Sequence, residues 1–174
     1  MRGSNVVRAG SANSGGVRLV RAGVFHLGGR TVDLTQRLLS LSKQFAALLR
    51  ELEPTEVAIE EAFFGKSVQS ALRIGEARGV LLAESARSGL NVFQYTPARV
   101  KRCVTGHGSA RKQSVAKMLG QVLPKESQPL LDELTEDATD AVAVAWTRLE
   151  ELRSPLAEAQ KRTKVRRARG FASD

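Results

Sequence analysis

A short apolar run that ends at two carboxylates, Val57-Ala58-Ile59-Glu60-Glu61, constrains this chain more than any other stretch. Pro54 precedes it, and Ala62-Phe63-Phe64-Gly65-Lys66 follows at once. So brief a run, partly β-branched, reads as a buried strand rather than a helix. A carboxylate where such a strand exits is held rigidly and kept partly dry, which suits metal binding or general-base work. An isolated pair of acids could equally be a solvated strand end. A second acidic cluster, Glu136-Asp137-Ala138-Thr139-Asp140, opens a helix far along the chain and turns the reading towards chemistry.

Around that strand the hydrophobic period alternates. Residues 1–16 are rich in Gly, Ser and Asn, with only Val6-Val7 strand-like. Val17 to Leu27 reads as a strand around Leu19, Ala22, Val24 and Phe25, and Gly28-Gly29 as a turn. Leu38, Leu39, Leu41, Phe45, Leu48, Leu49 and Leu52 recur at helical spacing, which predicts a helix over 34–52. Residues 68–86 read as the next helix and Asn91 to Tyr95 as a short strand closed by Pro97. A short helix over 100–104 should break at Gly106-His107-Gly108, where His107 reads as a turn residue. Ser109 should then cap a helix over 110–122. Pro124 to Pro129 reads as a loop, and 137–152 as a final helix buried through Val142, Val144, Ala145, Trp146 and Leu149. Strands and helices in this order predict an α/β domain with a partly parallel sheet.

Two features of the helices bear on partners. In the second, Ala71, Gly75, Gly79 and Ala83 stand four apart on one face, where missing side chains let another element approach closely. That face could pack on the domain's own sheet or on a second copy of the chain. In the last, Asp137 and Asp140 stand three apart and share a face, beside which first-turn acids also complement the helix dipole.

Charge is segregated. The net charge is +9, yet residues 1–32 hold five arginines and no acid, residues 153–174 hold seven basic residues against Glu158 and Asp174, and the body between is nearly neutral. Within the body, Ser85 through Lys125 carries no carboxylate but eight basic residues, Lys101 and Lys112 among them on either side of the glycine turn. Such segregation is the footprint of a polyanion partner, most often nucleic acid, and a helix start beside lysines is a ready phosphate seat. The single cysteine, Cys103, excludes an internal disulfide and a cysteine-only metal site. No apolar run approaches a membrane span and the start is too polar for a secretory signal, so a cytoplasmic protein without membrane contact is expected.

Acids at strand exits and helix starts can converge although distant in sequence. Carboxylates converging beside a basic face suggest phosphodiester hydrolysis with a hard divalent cation, which takes oxygen ligands. With these motifs in order, the chain from about Val17 to Leu149 resembles the RuvC-type Holliday-junction resolvases of the RNase H-like nuclease superfamily. The resemblance is carried by 58–66, by 70–80 (Ser-Ala-Leu-Arg-Ile-Gly-Glu-Ala-Arg-Gly-Val), by 95–101, by 106–112 and by Asp137-Ala138-Thr139-Asp140-Ala141.

The resemblance implies an RNase H-like mixed sheet flanked by helices, with a nuclease domain over 17–152 between a flexible segment, 1–16, and a basic tail, 153–174. Glu60, Asp137 and Asp140 would be catalytic metal ligands, holding two Mg²⁺ per subunit or Mn²⁺ in their place. Phe63 would intrude on bases near the crossover. Lys101 and Lys112 would contact phosphate near the scissile bond, and Lys66, Arg73, Arg78, Arg99 and Arg111 would join them on DNA. Ala71, Gly75, Gly79 and Ala83 would form the interface of a homodimer that nicks a four-way junction at two opposed strands, alongside a branch-migration motor complex. The family also opens with a central strand bearing Asp-Pro-Gly, whose aspartate is a fourth ligand; this chain has no such motif. The expectation is therefore of a first central strand missing here, with the natural start about 20 residues upstream of Met1. Without that strand, stability and activity should both be poor. A junction-binding protein that has lost its chemistry, or a general basic DNA-binding protein, are the other readings.

Overall fold

The structure is a computed structural model that describes residues 5–11 (as backbone only), 17–29, 31–61 and 68–154. Strand β1, Asn5–Ser11, pairs antiparallel with β2, Val17–Val24, from Asn5 opposite Val24 to Ser11 opposite Val17, with a slip in register after Arg8. The pairing extends well beyond Val6-Val7. In β2 alternation does what a half-buried strand requires: Val17 and Leu19 are buried and Arg18 is exposed. β2 stops short of Leu27, because Leu27 and Phe25 turn away to pack with Leu38 and Leu41.

Helix α1, Leu34–Leu52, starts where the Asp33 carboxylate accepts from the Thr35 N–H at 2.8 Å, and it buries Leu41, Phe45, Leu48 and Leu49 on one face. Strand β3, Glu56–Glu60, lies parallel to β4, Asn91–Tyr95, with Glu56 opposite Asn91 and Glu60 opposite Tyr95. Parallel neighbours need a crossover, and α2, Val68–Arg87, supplies it. It packs on α1 through Ala77, Val80 and Leu81. There the Ser42 hydroxyl donates to the buried Glu84 at 2.6 Å. The glycines of the small-residue stripe stand open: among the described residues, side chains added at Gly75 or Gly79 would meet nothing within 4 Å.

Helix α3, Pro97–Thr105, is longer than the 100–104 segment expected. Thr96 caps it and Pro97 opens it, a pairing that starts a helix at once. It closes at Gly106, whose φ of 82° a side chain would strain. Helix α4, Lys112–Val122, begins two residues later than expected. Ser109 does not cap it, because a turn closed by the Ala110 N–H on the His107 carbonyl holds Ser109 in its interior and leaves Arg111 in the cap position. The expected loop after Pro124 contains a 3₁₀ turn, Lys125–Ser127, and a short helix α5, Gln128–Asp132. Pro129 sits in the first turn of α5, where its missing N–H leaves no helix bond unmade. The Ser127 hydroxyl accepts from the Leu19 N–H at 3.1 Å, fixing this segment to β2.

Helix α6, Glu136–Arg153, is capped by Thr135 and runs through the main core. Val142, Ala143, Val144 and Trp146 pack there with Val17, Leu19, Tyr95, Val100, Val104, Val115 and Leu119. α6 touches β1, β2 and β3. The described strands do not join into one sheet: β1–β2 and β3–β4 are separate pairs. Among the described residues no helix is long and apolar enough to cross a membrane.

Candidate active site

Glu60 is the last residue of β3. Beside it the Glu61 N–H donates to the Tyr95 carbonyl at 2.8 Å, so β3 and β4 end together. The chain then turns through Thr96 directly into α3, which puts Lys101 just past the first turn of that helix. Gly108 keeps the loop after α3 folded back on it: a Cβ there would stand 3.1 Å from the Ala98 carbonyl oxygen. That return places Lys112, the first residue of α4, over the start of α6. Its Nζ donates to Asp140 Oδ2 at 2.9 Å.

The electrostatics show which groups share this corner. Glu60 is exposed as a residue, yet enough protein surrounds its carboxyl that desolvation raises its pKa. The negative charge of Asp140 raises it further, against Lys112 and Lys101. The Lys112 pKa is also raised, first by its hydrogen bond to Asp140, against a desolvation cost, and then by the charges of Asp140, Asp137 and Glu136. Glu60, Asp140, Lys112 and Lys101 thus form one mixed-charge cluster, with Asp137 at its margin. Among the described residues no three His, Cys, Asp or Glu side chains stand close enough together to hold an ion by themselves. Two carboxylate oxygen donors nonetheless fit a small hard cation such as Mg²⁺, which commonly takes one or two carboxylates and completes its shell with water and substrate phosphate.

The other expected site residues are placed differently. Phe63 and Lys66 lie outside the described residues. Arg111 is exposed at the start of α4, beside Lys112. Arg73 pairs with Glu76 at 3.1 Å along α2, and Arg78 on the same helix has a buried Nε with no hydrogen-bond partner. Arg99 pairs with Glu151 at 2.7 Å and lies 5.1 Å from the centre of the Tyr95 ring. Ala71, Gly75, Gly79 and Ala83 are remote in role from the carboxylates: they line the outer surface of α2 beside the exposed Leu72 and Ile74.

One group of residues had no forecast at all. Arg148 of α6 forks onto Glu56 at 2.7 and 2.8 Å, reaches Glu151 at 3.1 Å and stacks over Phe93 at 3.4 Å from the ring centre. The Tyr95 hydroxyl donates to Glu151 as well. The only trace in the sequence is a lone arginine inside the apolar run 142–149.

Comparison with known proteins bears on this geometry. The family model described as "Crossover junction endodeoxyribonuclease RuvC" matches residues 1–148. The protein of that name from Natranaerobius thermophilus is 41% identical over 111 residues, 64% of this chain and 66% of that one. The one from Cytophaga hutchinsonii is 39% identical over 145 residues, 82% of this chain and 70% of that one. The chain thus spans about two thirds of the length of these relatives. The structure of Thermus thermophilus RuvC aligns with a TM-score of 0.70 at 28% identity, over 86% of this chain and 87% of that one. The same protein in complex with a Holliday junction substrate shares the fold, with a TM-score of 0.71 at 22% identity over 87% and 94% of the two chains.

Proposed function

The chain belongs to the RuvC family of crossover junction endodeoxyribonucleases, and on that premise we propose that it nicks four-way DNA junctions by metal-dependent phosphodiester hydrolysis, with 17–152 as the nuclease domain. The observation that carries the reading is the Lys112–Asp140 hydrogen bond at the start of α6, beside the end of β3, where Asp140, Lys112 and Lys101 all act on the charge of Glu60. Glu60 and Asp140 would hold the divalent cation, with Asp137, whose charge also acts on Lys112, as a further carboxylate on the same helix. A bound Mg²⁺ or Mn²⁺ would activate water and stabilise the leaving oxygen.

The remaining work falls to side chains of this chain. Lys112 keeps Asp140 oriented through its hydrogen bond and offers positive charge to a phosphate arriving at the start of α4. Lys101 offers positive charge from α3, and Arg111 adds to the seat. Fixed lysines neutralise backbone phosphates and so make binding salt-dependent. A two-fold junction calls for a two-fold protein, and the open stripe on α2 supports a homodimer whose two sites face opposed strands. Association with a branch-migration motor complex and cytoplasmic residence follow from the same family membership.

A labelled four-way junction with Mg²⁺, read separately for binding and nicking, tests the reading. Wild type should nick two opposed strands, and Asp140→Asn should bind equally but nick about a thousandfold more slowly, the loss expected when a cation loses part of its seat. Selective junction binding without nicking by wild type would favour a binding protein without chemistry. Equal affinity for linear duplex would leave only a basic DNA-binding protein.

A further inference from the structure

Resting on the metal-site reading above, we propose that Arg148 is a positioning residue: its clamp on Glu56 sets how far α6 slides along β3, and so the separation of Asp140 from Glu60. The argument is one of matched lengths. Arg148 meets Glu56 at the entry of β3, and towards its exit Asp140, bonded to Lys112, lies near enough to Glu60 for its charge to act on that carboxyl. From Asp140 to Arg148 is eight helical residues, about 12 Å of rise. From Glu56 to Glu60 is four strand residues, about 13 Å, and both side chains project from one face of the strand. The helix and the strand therefore run side by side over equal spans and are clamped at one of the two ends. The clamped end is a fixed ion pair and the other is the candidate metal site.

That ion pair has the properties an anchor needs. The Arg148 side chain is only 11% exposed. Its two bonds to Glu56 form a planar fork, which fixes direction as well as distance, unlike a point charge. Its stacking over Phe93 fixes the guanidinium plane against β4, and its third bond goes to Glu151. Glu151 in turn receives Tyr95 and Arg99, so β4 and the start of α3, the helix that carries Lys101, are tied to the same point. The anchor spans every described element that brings a group to the site except α4. A slip of α6 by one residue, about 1.5 Å, would break the fork and carry Asp140 away from Glu60 together.

The test is Mn²⁺ binding to the DNA-free chain, followed by electron paramagnetic resonance well below the melting temperature of each variant. Arg148→Met keeps the bulk over Phe93 and removes the fork; Arg148→Lys keeps the charge; Glu56→Gln removes the partner. Arg148→Met and Glu56→Gln should bind Mn²⁺ about tenfold more weakly, the low end of what supporting residues cost a metal site, with Arg148→Lys in between. Junction binding in EDTA should be unchanged. A merely structural role would lower the melting temperature and leave Mn²⁺ affinity at the wild-type value, which would overturn the proposal. If Arg148→Met fails to fold, Arg148→Lys decides by the same reading. Asp140→Asn separates the two claims. If it binds Mn²⁺ like wild type, the metal-site reading fails and takes this proposal with it. If it loses Mn²⁺ while Arg148→Lys does not, only the positioning role is wrong.

Discussion

Glu151 on α6 and Glu60 at the end of β3 are both carboxylates, yet the fold moves their pKa values in opposite directions. Partial burial alone would raise the Glu151 pKa. Hydrogen bonds from Tyr95 and Arg148, with the charges of Arg99 and Arg148, outweigh that and hold it below its ordinary 4.5. The folded protein therefore binds this proton more weakly than the unfolded chain does. The resulting stability is fully present above pH 4.5 and is lost as pH falls from there through the folded value. Urea unfolding of Glu151→Gln on either side of that value should show a shallower acid limb than wild type; an identical slope would mean the carboxylate carries no such linkage. Tyr95, pushed up to about 12 by desolvation and by Glu151, stays a hydrogen-bond donor throughout. Glu60 runs the other way. Its raised pKa marks a carboxylate whose charge is resisted by burial and by Asp140, which is the condition a bound cation relieves. Of these residues the sequence exposed only the second kind. Glu60 and Asp140 stand at a strand exit and a helix start, positions with a readable meaning. The Arg148–Glu56 and Tyr95–Glu151 contacts join residues 92 and 56 apart, and no local pattern encodes such a separation.

Elements were legible where period and punctuation agreed. α1 occupies 34–52 as its leucine spacing predicts, and β4 ends before Pro97. Errors gathered where one residue type serves two purposes. Pro129 suggested a loop but opens a short helix, and Ser109 suggested a cap but is spent in a turn. The C-terminus of α1 shows a cost the sequence did not advertise. Glu53 closes the helix with φ 42° and ψ 54°, the left-handed conformation that glycine adopts freely and other residues resist. Its side chain is exposed, so a glycine there gives up no burial and the strain is removable. Glu53→Gly should stabilise the protein by about 1 kcal/mol, read as a melting temperature higher by roughly 2–4 °C. No rise would show that the added freedom of the unfolded chain cancels the relief.

At the scale of the whole molecule the unpaired surface is that of α2. It is a 20-residue helix that buries only Ala77, Glu84 and Ser85, while Leu72 and Ile74 remain 62% and 50% exposed. Two glycines in its interior cost helix propensity, and among the described residues nothing approaches them within 4 Å to offset that cost. A second copy of the same helix would, since the absent side chains allow two backbones to come close and the apolar side chains beside them to be covered. Gly79→Leu separates this from any effect on the fold. A side chain at 79 meets nothing within 4 Å among the described residues and improves helix propensity, so each subunit should fold at least as well as wild type. At a helix–helix contact the same side chain would hold the copies apart. Sedimentation equilibrium should therefore show a wild-type dimer and a Gly79→Leu species shifted towards monomer, both with the same circular dichroism. The consequence for chemistry follows from symmetry. Two sites held in one particle can nick opposed strands within a single encounter, whereas separated subunits must nick in independent events. On a supercoiled cruciform plasmid, wild type should yield linear product directly and Gly79→Leu should accumulate the nicked circle. A dimer that persists in Gly79→Leu with paired nicking intact would place the interface on another face.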